Sequence, residues 1–280
     1  MNINKKIALS IVFLILAVPA LRGEEASERV AVPFSDPGKP GKLEVSLING
    51  GITITGYEGK EVIVESKTRA QVVTPNAPEK ASSKYPGMKR LSAVGGGLRV
   101  EEAGNVMEIS SPAWKADTDL AIRVPFNTAL ELNTVNNGDI RVENVGGEIE
   151  AAHVNGDIVL LRVTGAVAAH TVNGKVSASF NRLDGKKPVS LVSFNGDIDL
   201  TIPADAKASL KMSINNEGEI YSDFDLSVQT ENTRSVEDER GRHGRYRLDI
   251  EKTIVAALNG GGSEITLNTF NGDILLRKVK

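Results

Sequence analysis

The sequence predicts an all-β protein: a β-solenoid or β-roll-like stack of nine-residue strand-turn units, two units to each eighteen-residue coil. Three observations predict it. Gly138, Gly147, Gly156, Gly165 and Gly174 recur every nine residues, apolar residues hold fixed places between them, and Asn-Gly returns every eighteen residues, at Asn137, Asn155 and Asn173. A fixed period of this kind marks supersecondary units that bury their apolar faces on one another. An antiparallel β-meander or sandwich is the alternative, because Asn-Gly between apolar alternations is also a hairpin signal.

The units run Asp139 to Gly147, Glu148 to Gly156, Asp157 to Gly165 and Ala166 to Gly174. Their second, fourth and seventh places are apolar: Ile140, Val142, Val145; Ile149, Ala151, Val154; Ile158, Leu160, Val163; Val167, Ala169, Val172. All three places are expected to point inward, and the first half of each unit alternates as a strand with one buried face does. Asn-Gly suits a corner needing φ > 0, which Gly adopts freely and Asn tolerates. In stacked coils Ile140, Ile158 and Val176 form one internal column, with neighbours about 5 Å apart. The motif returns at Asn195-Gly196-Asp197-Ile198 and Asn271-Gly272-Asp273-Ile274, more loosely at Glu217-Gly218-Glu219-Ile220, and early at Asn49-Gly50-Gly51-Ile52.

The ends and interruptions give the domain plan. Lys5 and Lys6 precede an apolar run from Ile7 to Val18, then Pro19 and Ala20. This is the pattern of a secretory signal peptide over residues 1–20, cleaved after Ala20 with Gly23 as second choice, and the run is short of the roughly 20 residues a permanent span needs. Residues 21–42 read as a linker and 43–280 as the repetitive β domain, with an N-terminal β region capping the stack. Two inserted loops are expected in it. Residues 68–97 are rich in Pro, Ser, Lys and Gly, and 231–245 are densely charged.

Composition narrows the function. With aromatic residues at 4 %, the core rests on Val, Ile, Leu and Ala. The absence of cysteine excludes disulfides, thiolate metal sites and a lipid-anchored leader. A formal charge of −3, more negative once Lys5 and Lys6 leave, disfavours nucleic acid as a partner.

Candidate chemistry is sparse. The acids following the turn glycines, Asp139, Glu148, Asp157, Asp197, Glu219 and Asp273, would form a column, but Ala166 and Lys175 interrupt it and the calcium-roll pattern is missing, so they read as solvent-facing turn residues. Repetition also explains the acids without a glycosidase pair. His153 and His170, seventeen apart, would approach one another on a face, without a third metal ligand; His243 sits in the charged loop. Trp114 packs a loop onto the stack in preference to stacking on a sugar. No Gly-x-Ser-x-Gly elbow or phosphate loop occurs. No catalytic, cofactor-binding or metal residue is assigned, and no cofactor is expected.

Ile122-Arg123-Val124-Pro125, Leu130-Glu131-Leu132, Thr134-Val135-Asn136-Asn137-Gly138-Asp139-Ile140 with the repeats after it, and Thr269-Phe270-Asn271-Gly272-Asp273-Ile274 resemble the DUF4097 family of bacterial adhesin-like proteins, over roughly Leu43 to Lys280. The resemblance implies a β-solenoid or β-roll in the envelope or at the cell surface, and brings no catalytic residues. The expectation is an exported, periplasmic or surface, non-enzymatic binding or scaffold module. Its expected partner is an envelope component, protein or polysaccharide, and no membrane span remains once the leader is cleaved. The alternatives are an extracytoplasmic carbohydrate-active enzyme and an envelope sensor.

Overall fold

The computed structural model describes residues 27–68, 98–111, 117–239 and 245–279. Each eighteen-residue period is one coil of two strands, and the coils stack into two facing sheets. In chain order the coils are β2 (Lys42–Asn49) with β3 (Ile52–Tyr57); β6 (Val106–Ser110) with β7 (Thr118–Pro125); β8 (Ala129–Asn136) with β9 (Ile140–Glu143); and β10 (Ile149–Asn155) with β11 (Ile158–Val163). They continue as β12 (Val167–Asn173) with β13 (Val176–Phe180); β14 (Val189–Asn195) with β15 (Ile198–Ile202); β16 (Ala208–Glu217) with β17 (Ile220–Ser222); and β20 (Ser263–Asn271) with β21 (Ile274–Lys278). Neighbouring coils pair in parallel and in register. Ile158 lies beside both Ile140 and Val176, as stacked coils require and a meander does not.

Coil order in space departs from chain order at both ends. The coil β2–β3 lies between β6–β7 and β8–β9, and the C-terminal coil β20–β21 lies between β14–β15 and β16–β17. The first and last coils in the chain therefore each have a neighbour on both sides, while the outermost coils are β6–β7 and β16–β17. Antiparallel strands extend the ends of the sheets, with β4 (Glu61–Thr68) and β1 (Ser27–Pro33) beyond β7, β5 (Arg99–Ala103) beyond β6, and β19 (Arg245–Leu258) with β18 (Ser227–Glu239) beyond β16, while the three-residue β17 is itself the edge of the ten-stranded sheet. A solenoid end left open would offer a full row of unpaired backbone groups.

Two boundaries expected from the sequence change. The segment 21–42 is not wholly linker, since Ser27–Pro33 is a paired strand. In the charged stretch 231–245, expected as a loop, Glu231 to Glu239 instead pair with Thr253 back to Arg245 in an antiparallel ribbon. Its inner strand β19 alternates and packs Ile254, Ala256 and Leu258 on the core, whereas β18 is the edge strand and needs backbone pairing but no buried face, so apolar periodicity is no guide to it. Of the loop expected at 68–97, Thr68 ends β4 and residues 69–97 lie outside the described residues, as do Trp114, His243 and the leader.

The core is a narrow slot between the sheets, filled by Ile, Val, Leu and Ala, with Phe180 the largest fully buried side chain. The corners explain the glycines. A Cβ on Gly165 would stand 1.7 Å from the Gly147 carbonyl oxygen, and one on Gly272 2.4 Å from that of Gly196, at a φ of +142°. Each corner is stacked on the corner before it, and nothing larger than hydrogen fits between them.

Candidate functional site

Three rows of polar contacts run along the stack at the Asn-Gly corner. The first is an asparagine ladder: Asn155 donates to Asn136, Asn173 to Asn155, Asn195 to Asn173, Asn271 to Asn195 and Asn216 to Asn271, at 2.6 to 2.9 Å. The sequence reading gave these asparagines the task of tolerating φ > 0. Of the three in the regular repeat only Asn137 has such a backbone, with φ +64°, and the others serve the ladder.

The second row is acidic. Asp139 accepts the Asp157 amide at 2.9 Å, Asp157 the Lys175 amide at 2.7 Å, Asp197 the Asp273 amide at 2.9 Å and Asp273 the Glu219 amide at 2.8 Å. These carboxylates tie one coil to the next rather than merely facing solvent. Glu148 follows Gly147 at the opposite corner and is not among them. No group of acids or histidines among the described residues could hold a metal ion.

The third row lies inside. Thr134, His153, Thr171, Ser193 and Thr269 are buried, and each reaches a glycine carbonyl of the neighbouring coil, at Gly50, Gly138, Gly156, Gly174 and Gly196, over 2.6 to 3.1 Å. A carbonyl can only accept, so His153 donates from Nε2. This row corrects the expected inward pattern: strict alternation from Ile149 puts His153 inside and turns Val154 outward, and likewise turns Val172 outward. It also separates the histidines. His170 pairs in register with Ala152 and is exposed, whereas His153 is buried, so the two point to opposite faces of the sheet.

The displaced apolar residues make a surface. Ile48, Val135, Val154, Val172, Phe194 and Phe270 are 36 to 51 % exposed and follow one another on successive strands. Phe194 and Phe270 stack with ring centroids 4.7 Å apart. The next outward row is Ser46, Asn133, Ala152, His170, Val192 and Asn268. These two rows and the asparagine ladder contain no Asp, Glu, Lys or Arg, in a chain that is 25 % charged. Around Ala152 the strip dips into an open groove of about 380 Å³ that Asn133, His170, Val154 and Val172 border. The sequence reading missed this strip because an apolar seventh place resembles a core place. The second and seventh places differ by an odd number, which turns Val154 and Val172 outward on unbroken strands, whereas Val145 and Val163 stay buried as expected, each after a positive-φ residue, Asn144 and Arg162, that breaks the alternation.

Glu102, in the N-terminal cap, is a carboxyl group with a clear shift. It is held below the usual range by hydrogen bonds from the Ser35 hydroxyl and amide and the Asn105 amide, the opposite of what a general acid needs.

Against this geometry the comparisons are specific about family. The Toastrack DUF4097 family matches residues 127–277, more than half of the chain. The chain belongs to that family. Among solved structures, a protein of Clostridium sporogenes provisionally named for cell adhesion aligns with 91 % of this chain and all of its own, at 13 % identity and a TM-score of 0.43. A provisionally named adhesin of Bacteroides fragilis aligns with 91 % of this chain and 98 % of its own, at 7 % identity and a TM-score of 0.30. No curated protein matches the chain. The DUF4097 stack reaches beyond the matched residues, since β2–β3 and β6–β7 continue the same register. No helix among the described residues is long and apolar enough to cross a membrane.

Proposed function

We propose that this DUF4097 protein is an exported, non-enzymatic surface or envelope module that lays the strip on β2, β8, β10, β12, β14 and β20 along an uncharged polysaccharide. The observation that carries the reading is the strip itself: two outward rows and an amide ladder without a formal charge. An uncharged strip matches an uncharged polymer, and the acids in the next outward row, Glu44, Glu131 and Glu150, give no attraction to acidic glycans or nucleic acid. Each inner ladder amide, at Asn155, Asn173, Asn195 and Asn271, spends one N–H and one lone pair on its neighbours and keeps one of each for sugar hydroxyls. The apolar row offers a flank for C–H faces. Contacts repeating at strand spacing, about 4.8 Å, add up along a polymer as linked weak sites do.

The enzymatic alternative lacks support at this groove, which is bordered by His170 and Asn133 and by no carboxylate. The export part of the proposal rests on the leader pattern. The test is binding of the chain from Leu21 onward to immobilised neutral and acidic polysaccharides, with reducing-sugar release followed on each. Saturable binding to a neutral glycan, little changed between low and high salt and without sugar release, is expected. Turnover, or binding confined to acidic polymers and abolished by salt, overturns the proposal.

A further inference from the structure

Three segments at the N-terminal end of the stack converge on a second cleft, of about 370 Å³: the connection from β1 to β2, the turn from β3 to β4, and the turn from β7 to β8. Phe34, Tyr57 and Phe126 line it, a concentration of rings in a chain whose aromatic content is 4 %. Each ring lies against a glycine. A Cβ on Gly41 would come within 2.6 Å of the Phe34 ring, one on Gly59 within 2.5 Å of Tyr57, and one on Gly146 within 3.0 Å of Phe126.

The three rings have different fates. Phe34 is buried. Tyr57 carries the Arg123 guanidinium 4.6 Å from its centroid and donates its hydroxyl to the Glu61 carbonyl at 2.8 Å. Phe126, with Gly146 beneath it, remains 38 % exposed. Two residues on, Thr128 also lines the cleft; it is 1 % exposed, and its hydroxyl has no hydrogen-bond partner in the protein. A buried hydroxyl is normally paired, and Oγ1 is closed to solvent as it stands, so a turn of the Thr128 side chain toward the cleft gains from a ligand the bond it lacks.

The walls are held in place. The Asp36 amide donates to the Asn105 side chain at 2.6 Å, Thr128 N–H to the Pro125 carbonyl at 3.0 Å, Ala129 N–H to Gly41 at 2.9 Å and Gly146 N–H to Phe126 at 2.8 Å. Preorganised walls spare a ligand the cost of ordering them. Charge is balanced: Lys39 is paired with Asp36 at 2.8 Å, and Lys60 sits with Glu58 at the rim.

The geometry points to this cleft as a binding site for a single neutral pyranose. Phe126 is the platform under the apolar face of the ring, Thr128 Oγ1 pairs with one sugar hydroxyl, and Lys60 and Glu58 reach hydroxyls at the rim. The site shares no residue with the strip, so the two proposals stand or fall separately.

The test is saturation-transfer NMR and calorimetry of the chain from Leu21 onward against a panel of neutral monosaccharides. At least one is expected to bind saturably, and Phe126→Ala and Thr128→Val each to weaken it tenfold or more. Thr128→Val loses no protein contact, so its thermal midpoint should stay at or above that of the parent while affinity falls. The double variant Val154→Lys, Val172→Lys, which alters the strip alone, should leave monosaccharide binding unchanged. If no sugar of the panel binds, or if one binds equally well to the Phe126→Ala and Thr128→Val proteins, the proposal is overturned.

Discussion

At the scale of single residues, small polar side chains and glycines hold one coil to the next. Thr171 donates to the Gly156 carbonyl at 2.9 Å from a buried position, so Thr171→Val leaves that carbonyl without its partner. The expected cost is about 1–3 kcal/mol, read as a lower midpoint in urea or heat, while Thr171→Ser keeps the bond and costs less. Gly165→Ala drives a methyl group into the Gly147 carbonyl, a backbone atom that cannot swing away. Its expected cost is about 3 kcal/mol, or about 6–12 °C of thermal midpoint, measurable by calorimetry. The repeat was legible in the sequence at these positions because the clash is local to the corner and recurs with every coil. The inward hydroxyls were not legible, because Thr and Ser next to a turn read as turn residues until the register places a carbonyl beside them.

At the scale of elements, the strands gain stability from rows that none of them could form alone. Asn173 gives one ladder bond to Asn155 and takes one from Asn195. Asn173→Ala therefore opens the ladder on both sides, with an expected loss of about 1–3 kcal/mol and faster hydrogen exchange in β10, β12 and β14. The N-terminal cap has its own latch, Glu102 of β5 accepting from Ser35 and from Asn105. Those bonds lower its pKa below the ordinary value of about 4.3. A depressed folded pKa means stability that is present above the unfolded pKa and lost as pH falls through the folded one. The cap should loosen below about pH 4, and Glu102→Gln should flatten that part of the pH–stability curve. The strands of the regular stack were legible from period-2 alternation, and so was most of β19, whose Leu248 to Ala256 alternate; β18 was not, because an edge strand is free of the one-face rule.

At the scale of the whole molecule, the inserted terminal coils make the stack mutually dependent. The bond from Asn271 to Asn195 joins residues 76 apart, and β20–β21 separates β14–β15 from β16–β17. A chain ending at Gly262 would lose a coil from inside the stack, leaving β16 and β17, on which β19 and β18 are built, without the neighbour they pair with. The expected outcome is loss of hydrogen-exchange protection across 208–258 with protection kept in β8 to β13; unchanged protection of 208–258 would mean that the gap closes. The strip belongs to this scale too. Val154→Lys with Val172→Lys changes exposed positions and should move stability by less than about 0.5 kcal/mol, yet abolish binding of a neutral polysaccharide.

The sequence by itself determined that the chain is an all-β stack with two strands per coil, because glycine crowding and apolar alternation are short-range rules that repeat with the chain. It also determined the column Ile140, Ile158 and Val176, whose in-register pairing the structure bears out. Only the tertiary structure decided which coil neighbours which, since every Asn-Gly corner can in principle stack on any other and nothing local distinguishes Asn195 beside Asn216 from Asn195 beside Asn271. It alone decided that Val154 and Val172 face outward and that Phe34, Tyr57 and Phe126 meet in one cleft. Those facts depend on the parity of a register and on the meeting of distant turns, and both are set by packing across the stack.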